Sequence, residues 1–205
     1  MSQPFRDHYF HRAKKERYLA RSVYKLQEIQ KKYKLLRRGS RVLDLGAFPG
    51  SWMQFIGEAT GPKGRVVGVD LKEVEHSFPP HVTTMQRDVL EPGLEEELRR
   101  FGPFDAVVSD MAPSTSGVKV ADSARSALLF ETALHLARRL LVPRGHFLGK
   151  IFQGSEFHAL LREIKGEFDF VKVIKPDATR KSSKEIYILA MRFKHPFQGS
   201  RKPRE

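Results

Sequence analysis

The sequence predicts an α/β fold: a doubly wound, mostly parallel seven-stranded sheet with one antiparallel strand. Three observations carry that expectation. From residue 41 onward, short β-type runs alternate with helix-type stretches, the pattern of a parallel sheet covered on both faces. Residues 168–174 and 185–193 read as two strands with no helix between them, and so short a link suits an antiparallel return. Between the first strand and its helix, Asp44–Trp52 forms a Gly/Pro turn, at the strand end where open parallel sheets bind ligands.

The elements follow in order. Residues 1–20 are polar and basic, carry Phe5, Tyr9, Phe10 and Tyr18, and read as a weakly ordered arm. A globular domain over residues 21–195 follows, then a basic tail over residues 196–205. Residues 21–36 read as a helix, because Val23, Leu26, Ile29 and Tyr33 share one face at helical spacing. Lys25 lies at the edge of that stripe. Arg41–Leu45, Arg65–Asp70 and the weaker Val82–Gln86 read as strands, with a helix from about Ser51 after the first. Leu94–Phe101 reads as a short helix and Phe104–Asp110 as a strand. Ser123–Leu141 is a long amphipathic helix that stops at Pro143-Arg144-Gly145. His146–Phe152 is a strand, Ser155–Lys165 a helix, and the last two strands close the sheet.

Composition bounds the function. The chain has 205 residues, 40% hydrophobic and 30% charged, which suits one soluble domain with a real core. No apolar run approaches the roughly 20 residues of a membrane helix, and the basic N-terminus lacks the apolar region of a secretory signal. Cysteine is absent, which excludes disulfides, thiolate chemistry and cysteine-held metal. Cytoplasm is the default location. The formal net charge of +13 is concentrated at the ends. Residues 1–41 hold 13 Lys/Arg against 3 Asp/Glu, residues 192–205 hold 5 against 1, and the stretch between holds 19 against 20. That asymmetry is the footprint of a polyanion partner.

The turn Asp44-Leu45-Gly46-Ala47-Phe48-Pro49-Gly50-Ser51-Trp52 is not a G-x-G-x-x-G loop, and Pro49 removes an amide that a pyrophosphate cradle needs. A nucleoside ligand without phosphates fits better. Asp70 ends the second strand, where a carboxylate accepts ribose hydroxyls, and Asp88 follows the third, within reach of an adenine amino group; Asp70 also reads as a plain helix cap. Four further polar residues fall where the sheet converges: Lys25, Asp110, Lys150 and Glu185. Lys150 lies inside an apolar strand, where a lysine is costly unless paired or neutral. Each of the four also reads as half of a structural ion pair.

The stretches RSVYKLQEI, VLDLGAFPGSW, SDMAP with the following SG, GKIFQG and KPDATRKSSKEIYILA resemble the FtsJ-type ribosomal RNA 2′-O-ribose methyltransferases, the bacterial large-subunit methyltransferase E group. The resemblance runs from about Tyr18 to Phe193. It implies a Rossmann-like methyltransferase domain over residues 21–195, with S-adenosylmethionine as cofactor. It implies a catalytic tetrad of Lys25, Asp110, Lys150 and Glu185, with Lys150 as general base. It implies cofactor contacts from Gly50, Trp52, Asp70, Asp88 and Asp110. Phe48 and Ser51 depart from the family pattern, standing where close relatives often have smaller residues.

The implied reaction is attack of a ribose 2′-oxygen, that of a uridine, on a sulfonium methyl, and the scheme requires no metal. The target hydroxyl exists in RNA and not in DNA. The implied partner is ribosomal RNA, free or within the large subunit, engaged by a monomer with no membrane contact. The basic arm, with Arg180, Lys181 and Lys184 beside Glu185, would grip phosphates, and the interleaved aromatics would stack on bases or simply pack. A transfer-RNA ribose methyltransferase and a non-catalytic RNA-binding protein on the same scaffold are the alternatives.

Overall fold

The computed structural model describes residues 4–180 and 182–195, with side chains from residue 8 onward. The tail over residues 196–205, Lys181, and the side chains of Phe5 and Arg6 lie outside the described residues. The elements are α1 (Pro4–Lys15), α2 (Val23–Tyr33), β1 (Arg41–Leu45), α3 (Ser51–Thr60), β2 (Arg65–Asp70), β3 (Val82–Gln86), α4 (Leu94–Arg99), β4 (Phe104–Ser109), α5 (Lys119–Leu140), β5 (Leu141–Phe152), α6 (Phe157–Glu167), β6 (Phe168–Ile174) and β7 (Glu185–Phe193).

The seven strands form one sheet in the order β3-β2-β1-β4-β5-β7-β6. Pairing is parallel from β3 through β5, and β7 runs antiparallel to both β5 and β6, so β7 is the one reversed strand. Strand alternation divides the core in two. Leu43, Leu45, Val67, Val69, Val107 and Phe147 face α5, while Val42, Val66, Ala106, Val108 and Leu148 share the other cluster with α2 and α3. These side chains are buried, and each of the valines, leucines and the phenylalanine contributes about 1.5–3 kcal/mol of hydrophobic stabilisation. Among the described residues no helix is long and apolar enough to cross a membrane.

Three segments differ from the sequence reading. Residues 4–15 form α1 where a weakly ordered arm was expected. The physical reason is tertiary. Ala13 is buried and clusters with Val23, Tyr24 and Ala178, and Tyr9 and Tyr18 pack against that cluster. Arg12 lies 4.4 Å from the centroid of the Tyr24 ring, and the Tyr24 hydroxyl donates to Glu16 at 3.0 Å. A polar helix that is marginal alone is stabilised by such packing. Helix α5 begins at Lys119, four residues before the expected Ser123, because Asp122 accepts the amides of Ser116 (2.9 Å) and Gly117 (3.2 Å) and folds the preceding turn onto the helix. Strand β5 begins at Leu141 rather than His146: Leu141 pairs with Phe104, and an irregularity containing Pro143 and Arg144 (φ 65°) precedes the next pair, Ala106 with His146.

The packing of α1 gives a direct test. Ala13→Leu adds bulk without changing charge. It should destabilise the protein by about 1–3 kcal/mol, the cost of overpacking a filled site. Chemical denaturation measures it, and an unchanged midpoint would mean that α1 does not dock.

Candidate active site

The strand order reverses direction between β1 and β4, since the chain leaves β1 toward β2 and β3 and returns to β4 on the other side. The carboxyl ends of these strands therefore open a crevice at the switch point. A cavity of about 440 Å³ occupies it, within the range of small-molecule sites. Gly46, Phe48, Asp70, Asp88 and Asp110 are among its lining residues.

The β1–α3 turn is fixed by its own backbone. The amides of Gly46 and Ala47 both donate to Val69 O, at 2.9 and 3.1 Å. Phe48 N–H donates to Asp70 Oδ2 at 3.0 Å, Pro49 has no N–H, and Gly50 N–H donates to Ala47 O at 2.6 Å. Every amide from Gly46 to Gly50 is thus engaged, and none remains to cradle a phosphate. Gly46 has φ +83°, and a Cβ there would lie 2.8 Å from the Met111 side chain and 2.9 Å from its backbone nitrogen, so glycine is what lets β1 and β4 close up at this point.

Asp70 caps no helix, contrary to one reading of the sequence: no helix lies between β2 and β3. Its carboxylate instead takes the amides of Phe48 and, at 2.8 Å, Lys72. Asp88 accepts the Leu90 amide at 2.9 Å. Each carboxylate is held by backbone and retains acceptor sites, as two carboxylate oxygens have about four. Three carboxylates around an uncradled cavity suit a ligand with hydroxyls, an amino group and positive charge, and S-adenosylmethionine has all three. Gly50 and Trp52 do not line the cavity. Gly50 (φ +109°) abuts Val74, Leu19 and Phe78. The buried Trp52 ring donates from Nε1 to Ser22 O at 2.9 Å, and Ser51 Oγ lies 3.0 Å from Ser22 Oγ. The start of α3 thereby docks the start of α2.

The four residues of the expected tetrad come together as two ion pairs. Register explains their meeting. Asp44, Val108, Leu148 and Leu189 lie side by side on β1, β4, β5 and β7. One pleat nearer the carboxyl edge, Asp110 follows β4 while Lys150 pairs with Tyr187 across β5 and β7. Because β7 is reversed, its first residue, Glu185, lies beyond Tyr187 at that same edge. Lys150 Nζ is 3.1 Å from Asp110 Oδ1 and donates to Asp110 O at 2.5 Å. Lys25, reaching in from α2, donates to Glu185 Oε2 at 2.9 Å.

Two residues absent from the expected set complete this centre. The Tyr187 hydroxyl donates to Asp110 Oδ1 at 2.5 Å, its ring stacks on Trp52 at 6.1 Å, and Lys25 Nζ lies 5.8 Å from its centroid. Its place two residues after Glu185 in a strand was the available signal. Burial, then the Asp110 charge, pushes its phenol well above the ordinary range, so it stays a donor. Burial alone would raise the Asp110 carboxyl too, but Lys150, Lys25 and the Tyr187 hydrogen bond outweigh it and hold Asp110 below the usual carboxylate range. Asp44 is fully buried, and neither carboxylate oxygen has a hydrogen-bond partner among the described residues. Burial, followed by the charges of Asp110 and Asp70, raises it well above its ordinary value. Its signal was an acid inside the apolar strand RVLDL.

The sequence profile of the FtsJ-like methyltransferase family matches residues 18–193. A protein of Syntrophobacter fumaroxidans named ribosomal RNA large subunit methyltransferase E is 65% identical over 195 residues, covering 95% of this chain and 99% of that one. A Desulfosudis oleivorans protein of the same name is 51% identical, covering 89% and 88%. Among solved structures, a ribosomal RNA methyltransferase of Plasmodium falciparum superposes with a TM-score of 0.76 at 30% identity, covering 86% of this chain and 98% of that one. Fibrillarin of Aeropyrum pernix, solved with S-adenosyl-L-methionine, shares the fold at a TM-score of 0.54 and 20% identity, covering 85% and 75%.

The Asp44 environment sets a pH signature. A carboxyl raised in the folded state keeps its proton there while the unfolded chain loses it, so its contribution is full below the unfolded value, near 3.9, and declines as pH rises. Asp44→Asn should therefore raise the melting temperature relative to wild type at pH 8, and the difference should shrink toward pH 4. A difference independent of pH would show that Asp44 is ionised in the native protein.

Proposed function

The chain belongs to the FtsJ-like methyltransferase family, and from that premise we propose that it methylates the ribose 2′-hydroxyl of a uridine in large-subunit 23S ribosomal RNA. The observation that carries this reading is that the two ion pairs lie between two cavities of opposite character. Asp110 lines the first, where with Asp70 and Asp88 it makes three carboxylates against the two cations Lys72 and Arg87. Lys25 and Glu185 line a second one, of about 350 Å³, together with Arg21, Ser22, Arg180 and Ser183. A cationic nucleoside suits the first and an RNA backbone the second. The names of the relatives support ribosomal RNA as the substrate.

S-adenosylmethionine is the cofactor and supplies, when bound, an electrophilic methyl group. Asp70 would hold the ribose hydroxyls of its adenosine and Asp88 the adenine amino group, while Gly50 and Trp52 act indirectly, through the turn and through α2. Lys150 is the general base: its Nζ, as the neutral amine left after it gives up a proton to solvent, takes the proton of the RNA 2′-hydroxyl. Asp110 fixes that amine through both its carboxylate and its carbonyl oxygen, and Tyr187 fixes the carboxylate in turn. Glu185 holds Lys25 beside the incoming ribose. Much of the rate comes from alignment of the reactants in adjoining cavities.

Lys150→Ala should lower the single-turnover rate by about 10²–10⁴-fold, the usual share of a general base, while cofactor and RNA affinities persist. Lys150→Arg should fail nearly as badly, because arginine keeps the charge but does not release a proton at usable pH. Near-normal turnover in the arginine variant would make Lys150 an anchor and not the base. Mapping 2′-O-methyl groups in ribosomal RNA from a strain lacking this chain tests the substrate itself: one uridine should lose its methyl group, and an unchanged map would reject the reading.

The docking of α1 on α2 refines the RNA test. Deleting residues 1–20 would strip Ala13 and Tyr18 from the helix that carries Lys25, mixing lost charge with lost packing. Lys14→Gln with Lys15→Gln removes charge while sparing the packing of α1 on α2, since both side chains are exposed and the Lys14 ammonium lies over the exposed Phe10 ring, 4.7 Å from its centroid. Each phosphate contact contributes about 0.9 to the salt slope on a duplex and about 0.7 on a single strand. The double variant should flatten the slope by about 1–2 units with unchanged cofactor affinity, and an identical slope would exclude α1 from the phosphate contacts.

A further inference from the structure

The rim of the acidic cavity is built around a single carboxylate. Asp70 Oδ2 accepts the amide of Phe48 and Oδ1 accepts the amide of Lys72. The side chains of those two residues then meet, with Lys72 Nζ 5.0 Å from the centroid of the Phe48 ring. Both line the cavity, and Phe48 is 46% exposed.

We propose that Phe48, held in place by Lys72, is a clasp on the nucleoside part of the cofactor, a positioning residue that slows release of both cofactor and product. The proposal rests on the reading of Asp70 as the ribose acceptor. A ring anchored through its backbone to that carboxylate lies at the edge of whatever Asp70 binds. Phe48 is an exposed large apolar side chain, and a nucleoside covering its ring removes apolar surface from solvent. The ammonium above the ring restrains it beforehand, so less freedom is lost on binding. The RNA-side cavity has neither Phe48 nor Lys72 in its lining, which places the ring with the cofactor and not with a base of the substrate.

Calorimetry and stopped-flow displacement on the full chain test this. S-adenosylhomocysteine is the better probe, because it lacks the sulfonium charge and the field of Lys72 is then not what is read. Phe48→Ala should raise its Kd about fivefold, the order expected from leaving half a phenyl ring without a partner, and chiefly by faster dissociation. Phe48→Leu should recover most of the affinity. Lys72→Met should weaken binding about twofold in the wild-type background and not at all beside Phe48→Ala, the mark of an effect transmitted through the ring. Unchanged affinity and dissociation rate in Phe48→Ala would overturn the proposal. So would a loss of RNA affinity alone, or fully additive effects at the two positions. Asp70→Ala separates the premise: wild-type affinity in that variant rejects Asp70 as the ribose acceptor, whatever Phe48 does.

Discussion

A lysine and an aspartate of opposite charge, both largely withdrawn from water, stand at the carboxyl edge of the sheet, and the surrounding architecture is arranged to make that tolerable. Removing either partner of such a pair leaves an uncompensated charge and typically costs 3–5 kcal/mol. Asp110 meets Lys150 twice, through its side chain and its backbone, and Tyr187 adds a third contact. The row beneath is Val108, Leu148 and Leu189 with Asp44 at its β1 end, all of it buried, and Asp44 is the one acid in it. Reversal of β7 matters for the same reason. A parallel seventh strand would present its last residues at this edge, whereas the reversed strand presents its first, Glu185 and Tyr187. The antiparallel return is thus what brings the second carboxylate to Lys25.

Helices α2 and α3 are subordinate to the same centre. Trp52 holds the carbonyl of Ser22, three residues before Lys25, and stacks on the tyrosine that braces Asp110. Trp52 ties the β1–α3 turn to the helix that carries Lys25. One indole thus joins the β1–α3 turn, α2 and β7.

Much of this was legible in the sequence, and what was not has physical causes. Strand positions came through because alternation and apolar runs are local properties of the chain. Lys25, Asp110, Lys150 and Glu185 were legible as a group through motifs, and their convergence follows from strand order. Helix α1 was not legible, because its stability lies in Tyr24 and Ala178, distant partners that no local pattern records. Asp70 as a bracket for two amides was equally hidden, since an aspartate at a strand end reads the same whether it caps a helix or closes a turn. Tyr187 was overlooked because a tyrosine in an apolar strand looks like core until its hydroxyl is shown to meet a carboxylate.

The consumed amides of the β1–α3 turn have an evolutionary consequence. A loop with free N–H groups is open to change: exchange a few side chains and a different phosphate-bearing nucleotide gains a foothold. Here the hydrogen-bonding capacity from Gly46 to Gly50 is spent on the sheet, on Asp70 and on the turn itself, so no series of side-chain exchanges turns this crevice into a dinucleotide site. The backbone path itself would have to be rewritten, with Pro49 lost and the turn re-formed in one step. The choice of ligand in this crevice is thus set by main-chain geometry, where point mutation has little purchase.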